Sequence, residues 1–535
     1  MINYEISEHL KKQLDNSKHD KYREIQDFLY ELLNPQKKIP YHLELQNFLG
    51  WIDSPEFMLR QIKGINDFVN KSKSYDQFIF IGMGASAILP ELLLKEQWIN
   101  NEKIIEGFRD NKQSFKPKFY FIDGTQDRDL NDVINNYKKT LIFFVSKSGK
   151  SIETKTIMQN LMNIPDISNN FIAITDYGSD LYNFAKSNNF QEIFCNPPYI
   201  PGRFSAFPYT GLISAAISGV NIEKMLKSVI KFKNSIIKTN NHSLINLINY
   251  LSKMLDCKID IVNLLSSNEK DPKLLWVQQM ISESLAKNNR YLIPLNSDLK
   301  KLKNRHDIVN IFFKNNKYSL AEINNEKLTQ SIILNNIENE NLGVFIYAIQ
   351  LIITSLSFIE SQKGLEFNPF TQPNVELAKN EYGKHNKLLP SLNEFQLPVS
   401  SNINIKNLKY ISFLIFTEND NKKNEFDKFQ EKISIEKEII KNIMHKQQIP
   451  YFIDFAPAYL HTTGELHKKK IQNVYHILIY TTSEDSEWKV HSDSNGLRNI
   501  IDVQLRSEIE IFKKHELNFD IIHIAKLNEY LQNLF

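Results

Sequence analysis

The sequence predicts an α/β protein in which mainly parallel sheets are covered by helices on both faces. From residue 76 onward, short apolar runs rich in β-branched and aromatic residues alternate with helix-patterned stretches. This alternation is typical of parallel strands joined by helical crossovers. The chain has 535 residues, of which 42% are hydrophobic. A chain of this length divides into at least two domains, so we expect two lobes.

Each element of this prediction depends on a local pattern. Residues 1–48 are polar with helical periodicity and predict a helical segment ahead of the lobes. The first lobe, 49–228, is predicted to contain the strands FIFIG (78–82), KFYFIDG (118–124), LIFFVS (141–146), FIAITD (171–176) and EIFCN (192–196). The second lobe, 229–535, is predicted to contain connecting helices and the strands KIDIVNLLS, RYLIPL, DIVNIFFK, YISFLIF, YFIDF, VYHILIY and DIIHI. Long helices are predicted over 340–361, 423–447 and 497–514.

The composition argues against several functional classes. Sixty-five basic and 62 acidic residues give a net charge of +3, which is no reason to expect nucleic-acid binding. Cys195 and Cys257 are too few for a disulfide framework or a cysteine-rich metal cluster, as in a reducing compartment. The N-terminus has no apolar leader, and we expect no membrane-spanning segment. We therefore expect a cytoplasmic protein.

The first candidate binding segment is IGMGASAILP, at the end of a predicted strand. Gly82 and Gly84 allow the backbone to approach a ligand, and Ser86 offers a hydroxyl. The helix that follows would direct N–H groups at an anion. By itself the segment also fits an ordinary tight turn between a strand and a helix.

The second candidate is VSKSGKSIET, residues 145–154, between a predicted strand and a predicted helix. Ser146, Ser148 and Ser151, together with backbone N–H groups at the helix start, could hold a phosphate dianion without a metal. The alternative is a capping box of Ser151 with Thr154. Three serines in six residues exceed what helix capping needs.

These motifs carry a resemblance to a known family. SKSGKSIET resembles the SKSGTT-type phosphate loop of sugar isomerase (SIS) domains. Together with WIDSPEFML, IGMGASAILPELL and four later segments it resembles glucose-6-phosphate isomerases in matching order, from about residue 48 to near the C-terminus. The later segments are NPPYIPGRFSAFPYTGLISAAISGVNIEKML (196–226), VQQMISESLAKNNRYLIPL (277–295), NPFTQPNVELAK (368–379) and YLHTTGELHKK (459–469).

The resemblance extends to the isomerase part of fused transaldolase/glucose-6-phosphate isomerases. It implies two SIS-type, flavodoxin-like αβα sandwich lobes with the active site in the crevice between them. The roughly 48 residues ahead of the matching segments cannot hold a transaldolase barrel, which needs about 200 residues or more. We therefore expect a free-standing isomerase.

The resemblance also assigns roles to individual residues. Glu283 would move a proton between C2 and C1 of the sugar, and Arg203 would stabilise the enediolate. Gln279 precedes Glu283 by four residues, one helical turn. His461 would open the sugar ring, with His467 and His306 as alternatives. The remaining residues implied are Lys379 as catalytic and Gly84, Ala85, Ser86, Ser146, Lys147, Ser148, Ser151, Gly202 and Gln372 as substrate-binding.

The chain departs from the family pattern at four places. GAS (84–86), PGR (201–203), SGKS (148–151) and LHKKK (466–470) stand where relatives have GGS, GGR, SGTT and LHKGG. Pro201 removes a backbone N–H, and Lys150 adds a charge near the expected phosphate. We expect these changes to affect catalytic efficiency more than the class of reaction.

Two other functions remain open at the level of sequence. SIS domains also serve as sugar-phosphate sensors, which keep the phosphate loop but need no Glu283, Arg203 and Lys379 together. An isomerase acting on mannose 6-phosphate or an amino sugar is the other alternative. We expect no metal or organic cofactor, because the matched residues contain no ligand cluster. The resemblance further implies a homodimer, with a histidine that could come from the partner chain.

Overall fold

The N-terminal residues form one strand and two helices. The structure, a computed structural model, describes residues 3–15, 20–34, 47–100, 117–123, 137–239, 242–266, 271–286, 291–295, 305–313, 330–335, 340–362, 368–377, 407–416, 423–480 and 495–535, without the side chains of 95–100, 239, 340, 423–434 and 495–500. The first elements are β1 (Asn3–Ile6), α1 (Glu8–Asp15) and α2 (Tyr22–Leu33).

The first sheet is wholly parallel and follows the predicted alternation. After α3 (Ser54–Leu59) and α4 (Ile62–Ser72), its strands are β2 (Gln77–Gly82), β3 (Lys118–Ile122), β4 (Thr140–Val145), β5 (Phe171–Asp176) and β6 (Glu192–Asn196), in the order β3-β2-β4-β5-β6. The helices between the strands are α5 (Ala85–Asn100), α6 (Ile152–Leu161) and α7 (Asp180–Ser187). Strands β2 and β4 are buried along their whole length, as expected for central strands covered on both faces.

The second sheet follows a helical connection, in the region where connecting helices were predicted. The helices are α8 (Tyr209–Ile217), α9 (Ile222–Thr239) and α10 (His242–Asp256). The sheet has the order β1-β10-β9-β7-β8, with β7 (Ile261–Ser266), β8 (Ile293–Leu295), β9 (Ile308–Phe313) and β10 (Ser331–Asn335). Its helices are α11 (Pro272–Leu285) and α12 (Glu340–Ser361).

Strand β1 corrects the prediction of a purely helical segment over 1–48. It pairs antiparallel with β10, with Asn3 opposite Asn335 and Ile6 opposite Ile332. Four residues have no stable strand structure alone, so β1 forms because an edge of the second sheet is available to it. Residues at the N-terminus thereby join a sheet whose other strands begin at residue 261.

The third sheet lies near the C-terminus and is also parallel. Its order is β12-β11-β13-β14, with β11 (Tyr410–Phe416), β12 (Tyr451–Phe455), β13 (Val474–Tyr480) and β14 (Phe519–His523). The accompanying helices are α13 (Lys423–Gln447), α14 (Gly464–His467), α15 (Asn495–Lys514) and α16 (Leu527–Leu534).

The α/β class with mainly parallel sheets is confirmed. Among the described residues, the range 229–535, predicted as one lobe, contributes strands to two separate sheets. The period of a strand does not reveal which strand it pairs with.

Helix α12 is long and apolar enough to cross a membrane by length and composition alone. Residues Asn341–Ser361 meet both criteria, and 94% of the apolar window is buried inside the structure. The helix packs in the largest apolar core. Its Tyr347 hydroxyl donates to Ile52 O at 3.1 Å, and Gln350 Nε2 donates to Phe204 O at 2.9 Å. These bonds connect α12 to the segments that precede and follow the first sheet along the chain.

Candidate active site

The two predicted binding segments follow adjacent strands of the first sheet. In the register of β2 and β4, Gly82 lies opposite Val145, so both strands end at the same edge. A Cβ atom on Gly82 would lie 2.7 Å from Val145 O and 2.8 Å from the Cβ of Ser86. Only glycine therefore fits there without displacing its neighbours. Ser146 and the turn holding Ala85 and Ser86 start at this edge.

The loop after β4 is organised by hydrogen bonds within the loop and by bonds from Asp176 and Asp180 to its carbonyls. The N–H of Gly149 donates to Ser146 Oγ at 3.0 Å, and the N–H of Lys150 donates to Ser148 Oγ at 3.3 Å. Ser151 is the N-cap of α6, but its side chain accepts no capping hydrogen bond. The capping box that offered a purely structural explanation is therefore not formed. Lys147 and Ser148 are exposed and accessible to a ligand.

The second group of predicted residues is a buried ion pair. Arg203 lies in the 3₁₀ turn that begins at Gly202 and is 4% exposed. Glu283 lies near the end of α11 and is 2% exposed. Arg203 Nη1 donates to Glu283 Oε2 at 3.3 Å, and Arg203 Nε donates to Ser284 Oγ at 2.8 Å. Arg203 Nη2 donates to the carbonyls of Glu283 and Pro369. The guanidinium is thus held by four acceptors.

Burial has the largest effect on the pKa values of Glu283 and Arg203. It raises the pKa of Glu283 from 4.5 to about 7, against the opposing effects of Arg203, the Gln279 amide and His461. Burial likewise lowers the pKa of Arg203, while Glu283 and Glu465 oppose that shift. A buried carboxylate with such a pKa can both accept and return a proton near neutral pH.

His461 lies next to the two predicted regions. Its carbonyl accepts a hydrogen bond from Gln279 Nε2 at 2.8 Å, and its Nε2 lies 3.3 Å from Glu153 Oε1. Gly84 has φ +54°, and a Cβ there would collide with His461 O. The glycine is therefore required by the approach of this histidine as well as by the turn.

Glu153 was not among the predicted site residues. It is buried at the start of α6, and its Oε1 accepts from Gln504 Nε2 at 2.7 Å. Burial favours its neutral form, yet the nearby His461 and its hydrogen bonds bring its pKa below the ordinary value. An ionised Glu153 would orient the imidazole of His461. Its place two residues after Ser151 in the segment VSKSGKSIET was the signal available in the sequence.

The two alternative histidines have different surroundings. His467 is fully buried, its Nε2 lies 2.9 Å from Asp454 Oδ2, and its ring contacts those of Phe452 and His476. His306 is exposed, and its carbonyl accepts from Gln330 at 3.4 Å. The geometry favours His461 as the histidine of the site.

The comparisons with known proteins concern the sequence and the fold of the chain. No family model matches the chain. It is 30% identical over 222 residues to a glucose-6-phosphate isomerase from Cyanothece sp., covering 40% of each chain. It is 25% identical over 404 residues to a glucose-6-phosphate isomerase from Mycoplasmopsis pulmonis, covering 64% of this chain and 91% of that one. This chain is similar in sequence to glucose-6-phosphate isomerases. The match spans two fifths of the length of the Cyanothece isomerase.

A solved structure shares the fold. A hypothetical protein from Thermus thermophilus aligns with a TM-score of 0.55 at 17% identity, over 72% of this chain and 99% of that one. At this identity the likeness concerns the fold alone. The predicted likeness to enzymes fused with transaldolase is not tested by these matches and stays a prediction.

The isomerase motif NPFTQPNVELAK is described only in part. Gln372 is half-buried and precedes a short helical turn, 373–377. Lys379 lies outside the described residues, so its predicted role stays a prediction. Within the part of the chain that the structure describes, no group of three or more His, Cys, Asp or Glu side chains could hold a metal ion.

Glu465 is a second residue that the sequence did not single out. It is 1% exposed, and its Oε2 accepts from the N–H groups of Asn374 at 3.1 Å and Val375 at 3.2 Å. Its charge acts on both Arg203 and Glu283. The signal in the sequence was weak: Glu465 lies between His461 and His467 in the segment YLHTTGELHKK.

Proposed function

We propose that this protein is a glucose-6-phosphate isomerase, which interconverts glucose 6-phosphate and fructose 6-phosphate without a metal or organic cofactor. The observation that carries the proposal is the surroundings of Glu283. Its buried carboxylate has a pKa raised to about 7 and contacts Arg203 at 3.3 Å, with His461 nearby. Aldose–ketose isomerisation needs one group that takes a proton from one carbon and returns it to the next.

The reaction divides among the residues as follows. The serine hydroxyls and backbone N–H groups of the loop 146–151 bind the phosphate dianion. His461, oriented by Glu153, transfers the protons that open the sugar ring. Glu283 removes the proton on C2, and the electron pair forms a cis-enediolate whose charge lies on O1. The hydroxyl proton on O2 passes to O1, the same carboxyl returns its proton to C1, and C2 becomes the ketone carbonyl. The reverse reaction follows the same steps backwards.

Arg203 stabilises the charge that the enediolate oxygens carry. Its four hydrogen bonds fix the guanidinium before substrate arrives, so little reorganisation is needed during the reaction. Gln279 and Gln372 would bind sugar hydroxyls, and Lys379 would assist from the segment after Gln372.

We also propose that the protein acts in the cytoplasm, in glycolysis and gluconeogenesis, and that it is a homodimer. Within one chain, His461 Nε2 already lies 3.3 Å from Glu153 Oε1. Sedimentation velocity on the active enzyme tests the dimer, and full activity in a monomer would contradict it.

A coupled assay tests the proposed activity. Purified protein is given fructose 6-phosphate with EDTA, and formation of glucose 6-phosphate is followed. We expect sustained turnover that added Mg²⁺ does not increase. Binding of the sugar phosphate without turnover would favour the sensor instead, and activity lost to EDTA but restored by a divalent ion would contradict the cofactor-free mechanism. Parallel assays with mannose 6-phosphate and glucosamine 6-phosphate determine the substrate range.

A further inference from the structure

We propose that Glu465 is a positioning residue, which holds the turn carrying Gln372 against the acid–base site and adds a negative charge beside Arg203. The inference deepens the proposed function and rests on it for the identity of the reaction. Glu465 reaches the site from the segment after β12 in the third sheet, whereas Arg203 and Glu283 belong to segments around the first two sheets.

The first argument is the way the turn 373–377 begins. A helical turn starts with N–H groups that have no partner inside the helix, and Asn, Asp, Ser or Thr at the N-cap usually accepts from them. Here Gln372 precedes the turn and Pro373 is its first residue. The acceptor is instead the buried carboxylate of Glu465, 91 residues away, which binds the N–H groups of Asn374 and Val375.

This arrangement frees Gln372 from a capping role. Its carbonyl accepts from the N–H of Glu376 at 3.0 Å, so its backbone already belongs to the turn. Asn374 Nδ2 also donates to the carbonyl of Glu465 at 3.4 Å. Arg203 donates to Pro369 O on the same segment. The segment is therefore held on one side by Arg203 and on the other by Glu465.

The second argument is electrostatic. Among the described residues, the charged or titratable groups that act on Glu283 are Arg203, His461 and Glu465, and Gln279 acts on it from its own helix. The negative charge of Glu465 opposes ionisation of Glu283 and supports the charge of Arg203. A glutamine at position 465 would keep an acceptor for the turn but remove that charge.

Two substitutions separate the two effects, and Glu376→Gln is the matched control because Glu376 is exposed on the same turn. In Glu465→Ala, hydrogen exchange at the amides of Asn374 and Val375 should be at least about tenfold faster, because a charge-assisted acceptor is lost. Glu465→Gln should increase exchange less. Glu376→Gln should leave it unchanged.

The second readout is the pKa of the Glu283 carboxyl, followed by ¹³C NMR of labelled glutamate and assigned with Glu283→Gln. Glu465→Gln should shift the Glu283 titration to lower pH, and the acid limb of the pH–rate profile should move with it. Unchanged exchange in Glu465→Ala together with an unchanged Glu283 titration in Glu465→Gln would overturn the inference.

The outcomes also separate this inference from the proposed function. Exchange and NMR need no turnover, so they decide the role of Glu465 even if the protein has no isomerase activity. Active wild-type enzyme with neither readout altered would leave the proposed function standing and remove the inference. If Glu465→Ala does not fold, the Glu465→Gln titration still decides.

Discussion

The loop 146–151 and the end of α11 differ in how far along the chain their contacts reach. The loop is ordered by bonds between residues two or three apart, such as Gly149 to Ser146, and by bonds from the N–H groups of Asp176 and Asp180, in the next strand and helix, to the carbonyls of Lys147 and Ser148. Most of its side chains reach solvent. Glu283 at the end of α11 is buried by residues up to about 180 positions away along the chain, including Arg203 and His461.

The difference follows from the chemistry that each region would perform. A phosphate dianion can be held by hydroxyl and backbone N–H groups that stay hydrated until it binds. Proton transfer at carbon needs a carboxylate whose pKa is raised by removal from water. The first requirement is met by neighbouring strand–loop–helix units of one sheet, whereas the second needs segments from different sheets to pack together. Substitutions in the two regions should therefore affect different kinetic constants.

Glu283→Gln should have the largest effect. We expect kcat to fall by roughly 10²–10⁴-fold, because Gln cannot accept the proton from carbon. KM should change little, since the amide keeps the size of the side chain. Steady-state kinetics and calorimetric binding of fructose 6-phosphate check this. Near-normal turnover would show that Glu283 is not the base.

His461→Ala should slow reaction of the cyclic sugar more than that of the open chain. Loss of an acid–base group typically costs about 10²-fold or more. The comparison uses turnover of cyclic substrate and exchange of the carbon-bound hydrogen from open-chain substrate. Equal losses in both measurements would contradict a role in ring opening. His467→Gln is the contrasting variant, and we expect it to lower thermal stability because it disturbs the buried contact with Asp454.

The free energy of unfolding should depend on pH because Glu283 is buried. The folded state raises this pKa from 4.5 to about 7, so the folded protein binds the proton more tightly than the unfolded chain. The resulting stabilisation is complete below pH 4.5 and is lost as the pH rises through 7. Relative to Glu283→Gln, the wild-type free energy of unfolding should fall by up to about 3 kcal/mol across this window. Urea titrations of both proteins at several pH values measure it. A constant difference between the two would contradict the raised pKa.

Ser148→Ala should have the smallest effect and act on binding. One hydrogen bond to a charged ligand contributes about 1.5–3 kcal/mol, so we expect KM to rise by roughly tenfold or more. The value of kcat should stay within about threefold of wild type, since the loop does not touch the reacting carbons. Ser187→Ala is the control, because that hydroxyl donates to Asn183 O within α7. A fall in kcat with KM unchanged would contradict the proposal that the loop 146–151 acts on substrate binding and the end of α11 on turnover.

The sequence alone predicted what depends on neighbours in the chain. EIFCN was predicted as a strand over 192–196, and β6 has those bounds. FIFIG was predicted over 78–82, and β2 begins one residue earlier. Gln279 and Glu283, four residues apart, lie on one helix as their spacing predicted. Strand periods, turn glycines and helical spacing are local, so one sequence reveals them.

Only the tertiary structure decided which distant segments meet. In the structure, β1 pairs with β10 at the edge of the second sheet, and a third sheet lies within the range predicted as one lobe. The tertiary structure placed His461 beside Glu153, 308 residues apart, and buried Glu465 against the turn after Gln372. Such contacts depend on how the packed surfaces of whole sheets fit together. The period of the hydrophobic residues identifies the buried face of an element. Which other element packs against that face depends on the complementary shape and charge of the two surfaces, and these surfaces exist only in the folded chain.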